Sequence, residues 1–122
     1  MNNNAFEIIG VGQLARTYRH LEPVETWFKD VLGLRHLFSF EQLAFFDCGG
    51  TRLMLTEKED PPANESLIYF RVADVKLSYE TLQERGVEFI QAPEMIHQHE
   101  DGTEEWMAFF KDPEDRPLAI MS

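Results

Sequence analysis

The chain has one cysteine, Cys48, among its 122 residues, so no disulfide can form within it. A lone thiol suits a reducing compartment, and the expected location is the cytoplasm. Basic residues are also scarce: 11 Lys and Arg stand against 22 Asp and Glu, for a net charge of −11. A surface of that sign repels phosphate, which argues against nucleic acid and against an anionic membrane as partners. No apolar run approaches the roughly 20 residues that a membrane-spanning helix requires. The opening stretch Met1–Ala5 is polar and lacks the basic and apolar regions of a secretory signal. There is no phosphate-cradling glycine loop. Gly10-x-Gly12 falls inside a strand pattern, without the rest of a dinucleotide fingerprint. No nucleophilic triad is visible either, and Cys48, ahead of Gly49-Gly50 at a strand end, reads as a buried thiol.

What the chain does have is a core and a repeat. Hydrophobic residues make up 43%, and ten are phenylalanine, enough for one packed domain of this length. Val11 to Leu34 reads as strand, polar punctuation and amphipathic helix, closing on Leu32-Gly33-Leu34. Ser66 to Val87 reads the same way and closes on Arg85-Gly86-Val87. Ala44-Phe45-Phe46-Asp47, followed by a turn and Arg52-Leu53-Met54-Leu55, returns as Ala108-Phe109-Phe110-Lys111, a turn and Pro117-Leu118-Ala119-Ile120. Two copies of one unit imply a pseudo-twofold fold with a cleft between the halves.

Local signals fill in each copy. The first strand runs from Ile8 to Tyr18. Pro23 suits a first helical turn, and Leu21, Val24, Trp27, Phe28, Val31 and Leu32 recur at helical spacing until Gly33. Arg35–Phe40, Leu43–Cys48 and Thr51–Thr56 alternate as strands, the last two joined by Gly49-Gly50. Charges and Pro61-Pro62 mark a linker. In the second copy Asp74 is an N-cap for a helix carrying Val75, Tyr79 and Leu82 on one face, which Gly86 ends. Val87–Ile90 and Met95–His99 read as two strands interrupted at Pro93, and Glu105–Lys111 pairs with Leu118–Met121. The pattern is βαβββ twice: a first module over 1–57, a linker over 58–65 and a second module over 66–122.

This duplicated pattern resembles the vicinal oxygen chelate superfamily, the group of glyoxalase I, the extradiol dioxygenases, the fosfomycin-resistance enzymes and the bleomycin-binding proteins. His20-Leu21-Glu22, Trp27-Phe28 and Val31-Leu32-Gly33-Leu34 are similar to its D-L-x-x…F-Y-x-x-x-L-G-L signature, and Phe109-Phe110-Lys111-Asp112-Pro113-Glu114 to its F-x-D-P-D/E-G. His20 stands where the family usually has Asp, and Asp115-Arg116 where it usually has Gly-Asn. The resemblance implies an α+β fold of two βαβββ modules, with mixed sheets curling around a shared cavity. It also implies a homodimer, in which related small proteins complete their cups.

In metal-dependent relatives, four inward side chains from the first and last strands of each module, usually His, Gln or Glu, hold one divalent ion. The resemblance places Gln13, Met54, Leu67 and Ala119 at those positions. Only Gln13 offers a donor for a hard or borderline cation; a thioether is soft, and Leu and Ala have none. The expectation is therefore a family member with no catalytic residue, no metal and no other cofactor. It would bind a small hydrophobic or aromatic molecule without covalent chemistry. The expected cavity residues are Gln13, Met54, Leu67, Tyr69, Trp106 and Ala119, with Arg16 and Arg71 as further orienting groups.

The alternative is a glyoxalase-like lyase, isomerase or dioxygenase. Its Zn, Ni, Mn or Fe would be held by Gln13 with His97, His99 or a glutamate, since His97-x-His99 share a face if that segment is a strand. The same histidines fit a solvated hairpin tip. A regulatory module with a filled cup is a third possibility.

Overall fold

The computed structural model describes residues 6–122; the polar stretch Met1–Ala5 lies outside the described residues. Two four-stranded mixed sheets each carry one helix. In the first, β1 (Gln13–Tyr18), α1 (Leu21–Asp30), β2 (Arg35–Phe40), β3 (Leu43–Cys48) and β4 (Thr51–Glu57) give the order β1-β4-β3-β2. The second repeats it with β5 (Tyr69–Arg71), α2 (Val75–Glu84), β6 (Phe89–Gln98), β7 (Glu104–Lys111) and β8 (Pro117–Met121) in the order β5-β8-β7-β6. The first strand of each set runs parallel to the last, and the other pairs are antiparallel.

Alternation sorts the side chains. Phe46, Leu53 and Leu55 of the first sheet and Phe110, Leu118 and Ile120 of the second are buried on the helix-facing sides. They join Leu21, Val24 and Phe28 of α1 and Val75 and Leu82 of α2 in one core. Phe28 packs on Phe46 of its own sheet at 6.0 Å between ring centroids, and its neighbour Trp27 lies 6.3 Å from Phe110 of the other. The core thus sits between the two sheets, and the opposite face of each sheet looks outward.

A polar seam closes one end of this core. The guanidinium of Arg16 donates to Asp112 at 3.1 Å and to the Tyr18 hydroxyl at 3.0 Å, and that hydroxyl donates to Asp112 at 2.8 Å. Arg16 and Asp112 are buried, so each needs the other to offset its desolvation. Burial pushes the Tyr18 hydroxyl far above its ordinary range, which keeps it a proton donor to Asp112. Arg16 also reaches the Ser66 carbonyl at 2.8 Å, and Arg116 donates to Glu65 at 2.5 Å and to the Thr17 carbonyl. Arg16 therefore serves the core and not a ligand cavity.

His20 makes no side-chain cap on α1. Its place is taken from outside the helix: Glu114 accepts the backbone N–H of Arg19 and His20, each at 2.8 Å, and Glu57 accepts that of Leu21 at 3.0 Å. In the β7–β8 turn, Asp115 adopts φ 64, the left-handed conformation that the glycine usual at this position permits freely.

Some boundaries differ from the sequence reading. β1 starts at Gln13 and not at Ile8, and β5 is only three residues long. β6 is one strand through Pro93, with register shifts on either side. It is an edge strand, where a missing N–H is tolerated.

Candidate binding faces of the two sheets

On the outward face of the first sheet, Gln13 stands beside Arg52, and Met54 registers with Ala15 on one side and Phe45 on the other. Phe45 in turn registers with Phe38. These neighbours touch. Arg52 Nε donates to Gln13 Oε1 at 2.7 Å, and Gln13 Nε2 lies 3.9 Å from the Met54 sulfur. The Arg52 guanidinium sits 5.1 Å from the centre of the Phe45 ring. Phe38 stacks on Phe45 at 4.5 Å, and Phe38 and Phe40 are nearly coplanar in orientation, 9° apart at 6.3 Å. Phe45 is buried beneath them, yet Phe38 and Phe40 are 45% and 53% exposed. The result is a flat aromatic surface with a guanidinium and an amide at its edge.

The second sheet presents a smaller version. Tyr69, Ala119 and Phe109 lie side by side in register, and the Tyr69 and Phe109 rings meet edge to face at 5.9 Å. Ala119 is fully buried and Tyr69 is 44% exposed. Leu67, half-buried, precedes β5. Trp106 departs from expectation. It shares the helix-facing side with Ala108 and Phe110, packs against the core, and has the Lys76 ammonium 4.0 Å above its ring. The alternation of β7 decides this, because Trp106 is even-numbered like Ala108, whereas Phe109 faces out.

Gln13 and Met54 are thus brought together, and so are Tyr69 and Ala119, but the two groups belong to outward faces of separate sheets. Within the chain the sheets do not close into a common basin. Arg52 was not singled out from the sequence, although its alternation with Met54 marks the same face.

The four positions at which relatives hold a metal do not suit one. Gln13 is already hydrogen-bonded to Arg52, a cation; Met54 is a thioether; Leu67 and Ala119 are hydrocarbon. Among the described residues no group of three or more His, Cys, Asp and Glu side chains is placed to bind a metal. His97 and His99 meet at 4.6 Å on the exposed β6–β7 hairpin, and His99 bonds Glu105 at 2.7 Å. They stand on the other sheet from Gln13, so that grouping is not assembled within one chain. Cys48 is half-buried, and burial followed by the adjacent Asp47 carboxylate pushes its thiol up, away from the nucleophilic form.

The model of the Glyoxalase/Bleomycin resistance protein/Dioxygenase superfamily matches residues 10–116. The chain belongs to this superfamily. Its fold is similar to that of a lactoylglutathione lyase from Agrobacterium tumefaciens, with 17% identity, a TM-score of 0.75 and 94% of each chain covered. It is also similar to a superfamily member from Sphaerobacter thermophilus, with 21% identity, a TM-score of 0.76 and coverage of 93% of this chain and 97% of that one. A protein from the mobile metagenome of V. Pseudocholerae gives 14% identity, a TM-score of 0.77 and 97% coverage of both. No curated protein matches the chain. No helix among the described residues is long and apolar enough to cross a membrane.

Proposed function

We propose that this superfamily member captures a planar, largely aromatic small molecule bearing an acceptor or anionic group, without a metal and without covalent chemistry. The observation that carries the reading is the exposed Phe38–Phe40 surface stacked on Phe45, with Arg52 and Gln13 at its edge. A flat ring stacks there, and its polar substituent meets Arg52. The donor chemistry at the four family positions supports a reading without metal.

The outward faces leave aromatic surface in water, which supports a homodimer whose cup pairs the Phe38 face of one copy with the Tyr69 face of the other. The single cysteine supports a cytoplasmic setting.

Calorimetry with 2-naphthoate tests the reading. Saturable binding is expected, about tenfold weaker in Phe38→Ala. Sedimentation should give twice the chain mass. Binding indifferent to Phe38→Ala would sink the proposal. Stoichiometric Zn, Ni, Mn or Fe in protein purified without chelators would replace it with the lyase, isomerase or dioxygenase reading.

A further inference from the structure

The repeat is imperfect on the helix side, and the imperfection leaves a space. Counted from the helix starts at Leu21 and Val75, Phe28 is equivalent to Leu82 and Val24 to Ser78. Phe28 is fully buried, and the smaller Leu82 is 8% exposed. Val24 is 1% exposed, whereas Ser78 is small, polar and half-buried. Where α1 fills its neighbourhood with a phenyl ring and a valine, α2 offers Leu82 and Ser78, which line a groove of about 730 Å³. Leu14 and Leu53 of the first sheet form one wall, Ile68 and Phe70 lie at the second sheet, and Leu77 and Thr81 of α2 complete it. This volume falls in the usual range for small-molecule sites.

The charge of the lining is the second observation. Asp and Glu account for 22 of the 122 residues, yet none lines the groove, while Arg71 and Arg85 both do. Arg85 spends one nitrogen on the Val31 carbonyl at 2.7 Å. The Arg71 side chain makes no hydrogen bond or ion pair among the described residues and is exposed. An apolar channel with unspent guanidinium at its mouth, on a chain of net charge −11, is matched in charge to an anion and not to a cation.

We propose that this groove, which Tyr69 borders, is a second binding site, separate from the Phe38–Phe45 face, for an amphipathic monocarboxylate. The hydrocarbon tail lies between α2 and the Leu14–Leu53 wall, and the carboxylate meets Arg71. Tail burial supplies most of the affinity and the guanidinium selects the headgroup.

Calorimetry with decanoate, decanol and decyltrimethylammonium, each below its micelle concentration, tests this. One decanoate per chain is expected, bound at least tenfold more tightly than decyltrimethylammonium. Arg71→Gln should weaken decanoate several-fold and leave decanol unchanged. Thr81→Phe should abolish binding of both by filling the groove with a ring. Leu77→Glu, at an exposed position that folding does not depend on, should abolish decanoate binding if Thr81→Phe fails to fold. Phe38→Ala should leave decanoate binding intact, which separates this site from the outer face. Equal binding of the cationic amphiphile, or decanoate binding that survives both groove variants, overturns the proposal. So does a Thr81→Phe variant that loses self-association, since a second copy would then be the occupant.

Discussion

The two modules follow one plan but differ in self-sufficiency. α2 caps itself: the Asp74 side chain accepts the Leu77 N–H at 3.1 Å. α1 has His20 at that place and takes its acceptors from Glu57 and, across the seam, from Glu114 of the other module. β1 is likewise tied through Arg16, Thr17 and Tyr18 to Asp112, Glu65 and Arg116. The first module is thus finished by the second: His20 makes no cap, and Glu114 supplies acceptors in its place.

Asp112→Ala should break this dependence most severely. It strands the buried Arg16 guanidinium and removes the acceptor of Tyr18, at a cost of about 3–5 kcal/mol in urea unfolding. A loss below about 1 kcal/mol would show that the seam is incidental. Glu114→Ala should cost about 1–2 kcal/mol, and hydrogen exchange should quicken at the start of α1, in the module that does not contain the substitution. Asp74→Ala should cost about 1 kcal/mol and loosen α2 alone. Equal exchange effects on both helices from either variant would erase the contrast.

A pH titration gives the gentlest test. Burial pushes the Glu65 carboxyl up, but bonds from the Thr17 N–H and hydroxyl and from Arg116 outweigh it and hold it below its ordinary 4.5. A lowered native value favours the ionised form in the folded state. Its stabilisation is complete above the unfolded value and fades as pH falls through the native one. Glu65→Gln should therefore lower stability at neutral pH and flatten the acid limb of the stability curve. An unchanged acid limb would remove Glu65 from the seam.

Much of the fold was legible because alternation and helical spacing report burial directly. Phe46 and Phe110 fall at matching core positions, and Phe45 and Phe109 at matching outward ones, as the repeat requires. Cross-module partnership was not legible. Arg16 reads as an outward polar group until Asp112, far away in sequence, is seen to need it. Trp106 misled because aromatic character says nothing of which face a residue occupies; counting from Phe110 would have placed it. Gln13 and Met54 were locatable by family resemblance, but their separation from Tyr69 and Ala119 depends on how the modules pack, which no local pattern encodes.

β1 and β5 each end a sheet, and on the outer side of β1 the Thr17 N–H and carbonyl are already taken by Glu65 and Arg116. Were β1 of one molecule to pair with β5 of the next in a head-to-tail sense, every addition would expose a fresh edge, and growth would continue as a fibre. A rotation of 180° between two molecules uses both edges at once and stops there. The brevity of β5 and the late start of β1 shorten the template available to runaway stacking, so this architecture limits its own polymerisation.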